Sequence, residues 1–298
     1  MGNTVFVNLD WSSLDSQKNK NIFTKNKKYE YYIMKNRFYY NIIYISILIL
    51  VVFFCFCSFS PFQNSRENIQ GSSQNEIELV VSRYNEDLEW LKEDPFNKYP
   101  VICYDKGSNN EYYQPTHMQK IHLENIGRID HTILYHIITN YDSLATVSIF
   151  LPGSLNMEHK KAKAIQNIQE VETHKDSVFI GYYHKAGVRN ELYNFSLDEW
   201  KASDSKNASM NSETTLELAK ERPFGKWYDS HFNDIRIDIV SFYGIFAVSK
   251  KHILQHPKSY YENLIKELSN SSNPEVGHYF ERSWCAVFHP LEGAKFIY

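Results

Sequence analysis

An uncharged, strongly apolar run from Phe38 to Phe62 limits what this chain can be before any motif is considered. Arg37 is the last charge before it and Arg66 the first after it. About 20 apolar residues let a helix cross a bilayer. The centre of the run, Ile42 to Cys57, is interrupted by no strongly polar residue except Ser46. A soluble core helix of that length would show a polar face, and this one shows none. The expectation is one membrane span over residues 38–60. The first 37 residues carry seven Lys or Arg against three Asp or Glu, a net charge of +4; with −3 for the whole chain, the remainder carries −7. Positive flanks stay cytoplasmic. The sequence therefore implies a type II single-pass protein of the secretory pathway, such as the Golgi, with a cytosolic head and a lumenal tail. A cleaved signal peptide is the competing reading. The long basic region and the lack of a clean small-residue cleavage site speak against it, and it would place the tail on the same side.

Residues 1–37 read as a polar, Asn- and Lys-rich head and 61–75 as a short stem. Residues 76–298 are enough for one sizeable core. Sequons at Asn194, Asn207 and Asn270 suit a glycoprotein. Cys55 and Cys57 fall in the apolar run, which leaves Cys103 and Cys285 as either one disulfide or two buried thiols. Ile77–Val81, Tyr99–Tyr104, Thr146–Leu151, Val178–Ile180 and Gly244–Val248 read as strands. A helix start is expected at Leu88–Leu91. Ile133, Leu134, Ile137, Ile138 and Tyr141 recur at helical spacing behind Asp130, which is placed to cap them. Tyr261, Leu264, Ile265 and Leu268 mark a later helix, and Val276, Phe280, Trp284, Val287 and Phe288 another. The alternation predicts one α/β domain with a mainly parallel sheet. Ser203–Ser212 reads as a loop.

Ligands of open α/β sheets bind beyond the carboxyl ends of the strands. Arg83, Tyr84, Asn85, Glu86 and Asp87 follow the first predicted strand, Asp105 and Lys106 the second, Gly153 and Ser154 the third. The first cluster could hold a nucleotide, with a ring to stack, an amide and carboxylates for base and ribose edges, and a cation for a diphosphate. A charged loop with a helix cap would look the same. In a helix, His278, Glu281 and Trp284 would share a face. A carboxylate against an indole is desolvated and drawn toward its protonated form, as a general base or acid requires. The plainer reading pairs Glu281 with Arg282 and puts Trp284 in the core. Arg128 and His131 at a helix start could attract a diphosphate or belong to an ordinary cap. Asp234 and Asp238 would share a strand face as a metal pair, and His289 stands alone. No Asp-x-Asp, Cys-x-x-Cys, His-Glu-x-x-His or Gly-x-Ser-x-Gly occurs. The tail is acidic and offers no basic groove, so no nucleic acid is expected.

Five segments occur in the order of one uncharacterised domain family of fungal, bacterial and large-virus proteins. They are Leu79–Leu91 with its Arg-Tyr-Asn-Glu-Asp turn, Asn125–Arg128, Tyr141–Leu144 with Ile149–Gly153, Gly244–Ser249, and Glu281–Trp284. The tail resembles that family over about residues 76–290. The family in turn looks like divergent GT-A glycosyltransferases, Rossmann-like domains in which the opening strand and its turn meet the nucleotide of a sugar donor. Ile129 and Pro152 depart from the family pattern, where Glu and Gln or His are usual. The resemblance implies a nucleotide-sugar donor at Arg83, Tyr84, Asn85, Glu86 and Asp105, with Arg128 on the leaving diphosphate and Glu281 as base. The cofactor is left open: Mn2+ or Mg2+ would normally sit on the missing Asp-x-Asp. Either a cation such as Arg83, Lys106 or Arg128 replaces the metal, or activity is lost. Two readings follow. One is a membrane-anchored transferase moving a sugar onto a glycan or protein acceptor. The other is an inactive, membrane-tethered glycan- or protein-binding module of the same fold. Convergence of Arg83, Arg128 and Glu281 on one cleft would favour the first.

Overall fold

In the first strand, β1 (Ile77–Arg83), Val80 joins one hydrophobic core while Leu79 and Val81 join another, and the domain is organised about that alternation. The computed structural model describes residues 76–199, 215–233 and 235–298. The basic head, the apolar run Phe38–Phe62, the stem, Asn207 and Asp234 lie outside the described residues. No helix among the described residues is long and apolar enough to cross a membrane.

Beside β1 run β2 (Val101–Asp105) and β4 (Val147–Pro152), both parallel to it, with Leu79 level with Val101 on one side and Ile149 on the other. β3 (Met118–His122) extends the sheet beyond β2. On the far side lie β8 (Phe246–Ser249), β5 (Val178–Ile180) and β9 (Lys295–Ile297). The order is β3-β2-β1-β4-β8-β5-β9, with β8 antiparallel to both neighbours and the other pairings parallel. β6 (Tyr182–Tyr183) and β7 (Ile239–Val240) form a separate antiparallel ribbon. This is a mixed α/β domain with a mainly parallel seven-stranded sheet.

Apolar strands are stable in a parallel sheet only if both faces are covered. Val80, Phe150 and Phe246 share one core with α1 (Arg128–Thr139), α4 (Phe224–Phe232), α6 (Lys258–Leu264) and α7 (Glu275–Val287). Leu79, Ile149 and Ala247 share the other with Trp90, Phe96 and α2 (Glu158–His174). Fully burying one such large side chain contributes about 1.5–3 kcal/mol. Two short helices, α3 (Val188–Glu191) and α5 (Lys250–Ile253), also lie among the described residues.

Several expectations change. α2, absent from the sequence reading, is a helix of strong helix formers whose buried stripe is only Ala164, Asn167, Ile168 and Val171, at i, i+3, i+4 and i+7. The turn after Leu88 is a single 3-10 turn, Glu89–Lys92. Residues 235–238 are not a strand, because pairing starts only at Ile239. Asp130 does not cap α1. Gly127 precedes that helix with no side-chain cap, and Asp130 points inward. Cys103 and Cys285 are free, buried thiols in the two different cores, on opposite faces of the sheet. Burial pushes the Cys103 thiol up to about 12 and the Cys285 thiol up as well.

Candidate functional site

β1, β2 and β3 occupy one side of the sheet, and the chain then crosses through α1 to β4 on the other side of β1. The strand order therefore reverses between β1 and β4, and their carboxyl ends are where an open α/β sheet places its ligand crevice. Three elements meet there. Gly153 follows β4 with its Cα hydrogen facing the β1 turn; a Cβ at that position would lie 2.7 Å from Glu86 Oε2 and 3.2 Å from Arg83 Cα. Ser82, near the end of β1, shares a 2.9 Å hydrogen bond with Thr132 in the second turn of α1.

The β1 turn is built by its own charged residues. Arg83 is fully buried. Its Nη1 donates to Asp105 Oδ1 at 2.6 Å, its Nε donates to the Glu86 carbonyl at 2.7 Å, and its guanidinium lies 3.5 Å from the centre of the Tyr112 ring. Its Nη2 is buried without a hydrogen-bond partner. Asp105 is equally buried and engaged on both oxygens, Oδ1 also by Gly107 N–H and Oδ2 by Tyr112 Oη and Lys120 Nζ, each at about 3.1–3.2 Å. Burial works against its charge, but Lys120, Arg83 and the Gly107 N–H hold its carboxyl below the usual range. Glu86 Oε2 folds back to accept the backbone N–H groups of Tyr84 and Asn85. Asn85 Oδ1 accepts Asn109 N–H. Tyr84 is half-buried. Gly107 is essential to this packing, since a Cβ there would fall 1.3 Å from the Tyr84 carbonyl oxygen. Gly107→Ala is therefore expected to cost about 3 kcal/mol or more, because the obstacle is backbone. Urea unfolding with an unchanged midpoint would contradict this.

Across the crevice stand the start of α1, the middle of α7 and the turn before β8. Lys106 Nζ, buried, donates to the Ile126 carbonyl at 2.7 Å and to that of Arg128. Arg128 Nη1 donates to Asn273 Oδ1 at 3.1 Å. Gly277 leaves room for two neighbours: its missing Cβ would lie 3.1 Å from Arg128 Cδ and 3.3 Å from Asp130 Oδ2. Trp284 Nε1–H donates to Asp130 Oδ1 at 3.2 Å. Glu281 Oε1 accepts the Tyr243 N–H at 2.8 Å, and its Oε2 lies 3.6 Å from Arg282 and 4.0 Å from His278. From α2, Lys160 Nζ donates to Ser154 Oγ at 3.0 Å, and Lys163 Nζ to the Phe242 carbonyl at 2.8 Å.

The ionisable groups of this wall are displaced from their ordinary values, as is typical of functional sites. Burial pushes Asp130 up to about 7, with the Glu281 charge adding and Arg128 and the Trp284 indole opposing. Burial pulls Lys106 down to about 7 and Lys163 to about 8, against the attraction of Asp130 and Glu281 respectively. Burial, with Lys106 nearby, lowers His131 to about 4. Burial, with Arg128 and Arg282 nearby, lowers His278 to about 2. Both imidazoles are therefore neutral at pH 7. Asp130 binds its proton more tightly folded than unfolded. Its contribution to stability is complete below about pH 4 and is lost as pH rises through 7, at up to about 1.4 kcal/mol per pH unit. Asp130→Asn should remove that slope, so the variant gains on the parent between pH 5 and pH 8 in denaturant midpoint. An identical pH profile would contradict the assignment.

The structure thus brings Arg128 and Glu281 to one wall but turns the Arg83 side chain inward. The carboxyl that sits against Trp284 and is raised by burial is Asp130, which the sequence suggested only as a cap. Lys160, Lys163 and Tyr243 were missed. The one local signal for the lysines was a basic cluster, Lys160-Lys161-Lys163, soon after the third strand. Among the described residues no three His, Cys, Asp or Glu side chains are grouped to hold a metal. The one carboxylate at the β2 end, Asp105, is bonded on both oxygens, so the donor set here does not fit a resident Mn2+ or Mg2+. Asn194 and Asn270 are exposed. A separate cavity of about 330 Å³ lies between α4 and the segment before α7, lined by Glu217, Glu221, His231, Lys266 and Glu267 among others.

A family model described as Protein of unknown function (DUF3431) matches residues 79–294. Among the solved structures that match is the crystal structure of S. aureus TarS 1-349. It is 12% identical with a TM-score of 0.26, over 66% of this chain and 56% of that one. The match spans just over half of that chain, and a likeness at that level carries no weight for fold or activity. No curated protein matches.

Proposed function

The chain belongs to the family described as Protein of unknown function (DUF3431), and we propose that it is a membrane-anchored glycosyltransferase working in the crevice between β1 and β4. The observation that carries this reading is the meeting of cations and a reachable carboxylate at the carboxyl ends of parallel strands: Arg282 and Lys163 beside Glu281, Lys160 near the Tyr243 ring and Arg128 beside Asp130. Arg83, Asn85, Glu86 and Asp105 shape the turn that the nucleotide lies on, and Tyr84 offers its ring to the base. Arg128 and Lys160 meet the diphosphate, where negative charge grows as the bond to the sugar breaks. The Glu281 side chain is 18% exposed and held by the Tyr243 N–H through Oε1, and its Oε2, ion-paired with Arg282 at 3.6 Å, is the oxygen that takes the acceptor proton in this reading. The acceptor oxygen attacks the anomeric carbon and its proton passes to Glu281. The bond from that carbon to the diphosphate oxygen breaks, and the nucleoside diphosphate leaves. Asp130 is too deeply buried to reach an acceptor, and its Oδ1 accepts the Trp284 indole N–H.

The apolar run at 38–62 supplies the type II anchor in this reading, with the domain lumenal and the exposed Asn194 and Asn270 open to glycosylation. The inward locking of Arg83 and Asp105 favours a second reading, a tethered module that holds a sugar without turnover. The full chain in detergent, incubated with UDP- and GDP-sugars with and without Mn2+, separates them. Release of nucleoside diphosphate supports the transferase, binding without release the module, and no binding to any of them sinks the transferase.

A further inference from the structure

We propose that the acceptor is a carbohydrate and that Tyr182, Phe242 and Tyr243 form the platform on which its rings stack. This rests on the transferase reading of the site. Six large hydrophobic side chains are exposed among the described residues, and four are tyrosines grouped around β6: Tyr182, Tyr183, Tyr243 and Tyr298. The ribbon of β6 and β7 turns successive side chains to opposite faces. Tyr183 meets Tyr298, with ring centres 5.1 Å apart, whereas Tyr182 meets Phe242 at 5.6 Å, and Phe242 in turn lies 6.4 Å from Tyr243. Only the second row leads to the site, because Tyr243 N–H is the group held by Glu281.

Tyr243 is also strained. Its φ of 72° and ψ of 7° place a bulky residue in the left-handed region, at a cost of order 1–3 kcal/mol. That backbone presents its ring, 37% exposed, with the ammonium groups of Lys160 and Lys163 5.5 and 5.6 Å from the ring centre and Arg282 5.3 Å from the Phe242 ring. A sugar offers C–H faces to rings and hydroxyls to charged donors, and this row provides both in sequence. An aliphatic surface, as a protein partner would favour, is absent from it: the exposed leucines are Leu218 and Leu254, outside this row. The row runs from solvent at Tyr182, 63% exposed, to the Glu281 carboxylate, so a chain of sugars laid along it delivers its terminal hydroxyl to the base.

The test uses the full chain in detergent, titrated calorimetrically with cellohexaose, chitohexaose and maltohexaose, and separately with UDP and GDP. At least one hexasaccharide should bind. Tyr182→Ala and Tyr243→Ala should each weaken it about tenfold or more, while Tyr183→Ala leaves it unchanged. Tyr182→Phe should retain the affinity, and Tyr182→Ala should leave nucleoside diphosphate binding intact. No hexasaccharide binding, or equal losses in the Tyr183 and Tyr182 variants, overturns the platform even where UDP or GDP binds. Oligosaccharide binding lost with Tyr182, in a chain that binds no nucleotide, upholds the platform and removes the transferase.

Discussion

Glu281→Gln is expected to lower sugar transfer by about 10²- to 10⁴-fold, the range lost with a positioned general base, while nucleoside diphosphate affinity changes little. The amide keeps the size of the side chain and can still accept the Tyr243 N–H at 2.8 Å through its carbonyl oxygen, so the strained turn is preserved. What it loses is the capacity to take a proton. The substitution also removes a negative charge beside Arg282 and Asp130. With that repulsion gone, the Asp130 carboxyl should titrate lower than its present value of about 7. Steady-state assays should show kcat falling with KM for the donor nearly constant. Full activity in the variant would remove Glu281 from the chemistry and leave the crevice without an accessible base.

Arg83→Leu should destabilise the domain by about 3–5 kcal/mol, because it removes the buried partner closest to a buried carboxylate. Asp105 is 1% exposed and relies on Arg83 at 2.6 Å; Lys120 and Tyr112 would remain, each at 3.1 Å. Asp105→Asn in the Arg83→Leu background should recover part of the loss, since no buried charge is then left unpaired. The same pair explains why these residues do not face a ligand directly. Their charges are spent on fixing the turn between β1 and β2, and the turn fixes Tyr84 and Gly107. Denaturant unfolding of the single and double variants measures the effect; additive losses would contradict the coupling.

The parts of the fold legible in the sequence are those whose signal is local. β1, β2, β4 and β8 are apolar runs ended by charges or Gly, and α7 carries Val276, Phe280, Trp284 and Val287 at helical spacing. β3, with its exposed Gln119 and Lys120, is an edge strand, and β9 is only half-buried, so neither shows the apolar run that reveals a covered strand. α2 is hidden because Asn167 sits in its narrow buried stripe, where it donates to the Val178 carbonyl at 3.1 Å.

The candidate site follows the same division. Its position at the strand ends is legible from the alternation of strands and helices, whereas motif order leaves open whether Arg128 and Glu281 meet. The environment of Asp130 was not, because it depends on Trp284, 154 residues further along the chain. An acidic residue in the first turn of a helix ordinarily reads as a cap. Likewise Glu86 and Asn85 read as ligand contacts from their chemistry, although Glu86 satisfies backbone donors of its own turn and Asn85 accepts Asn109 N–H. The contribution of α2 required the sheet, since only the crossing from β4 carries Lys160 to Ser154 and Lys163 to the turn at Phe242.

The most direct test of the account is where a nucleoside diphosphate binds, determined by a structure of the full chain saturated with UDP or GDP. Density is expected between the carboxyl ends of β1 and β4, with phosphate oxygens within hydrogen-bond distance of Lys160 and Arg128 and the base against Tyr84. A nucleotide seated instead in the cavity beside His231 and Glu267, or a crevice left empty at saturating ligand, would contradict it.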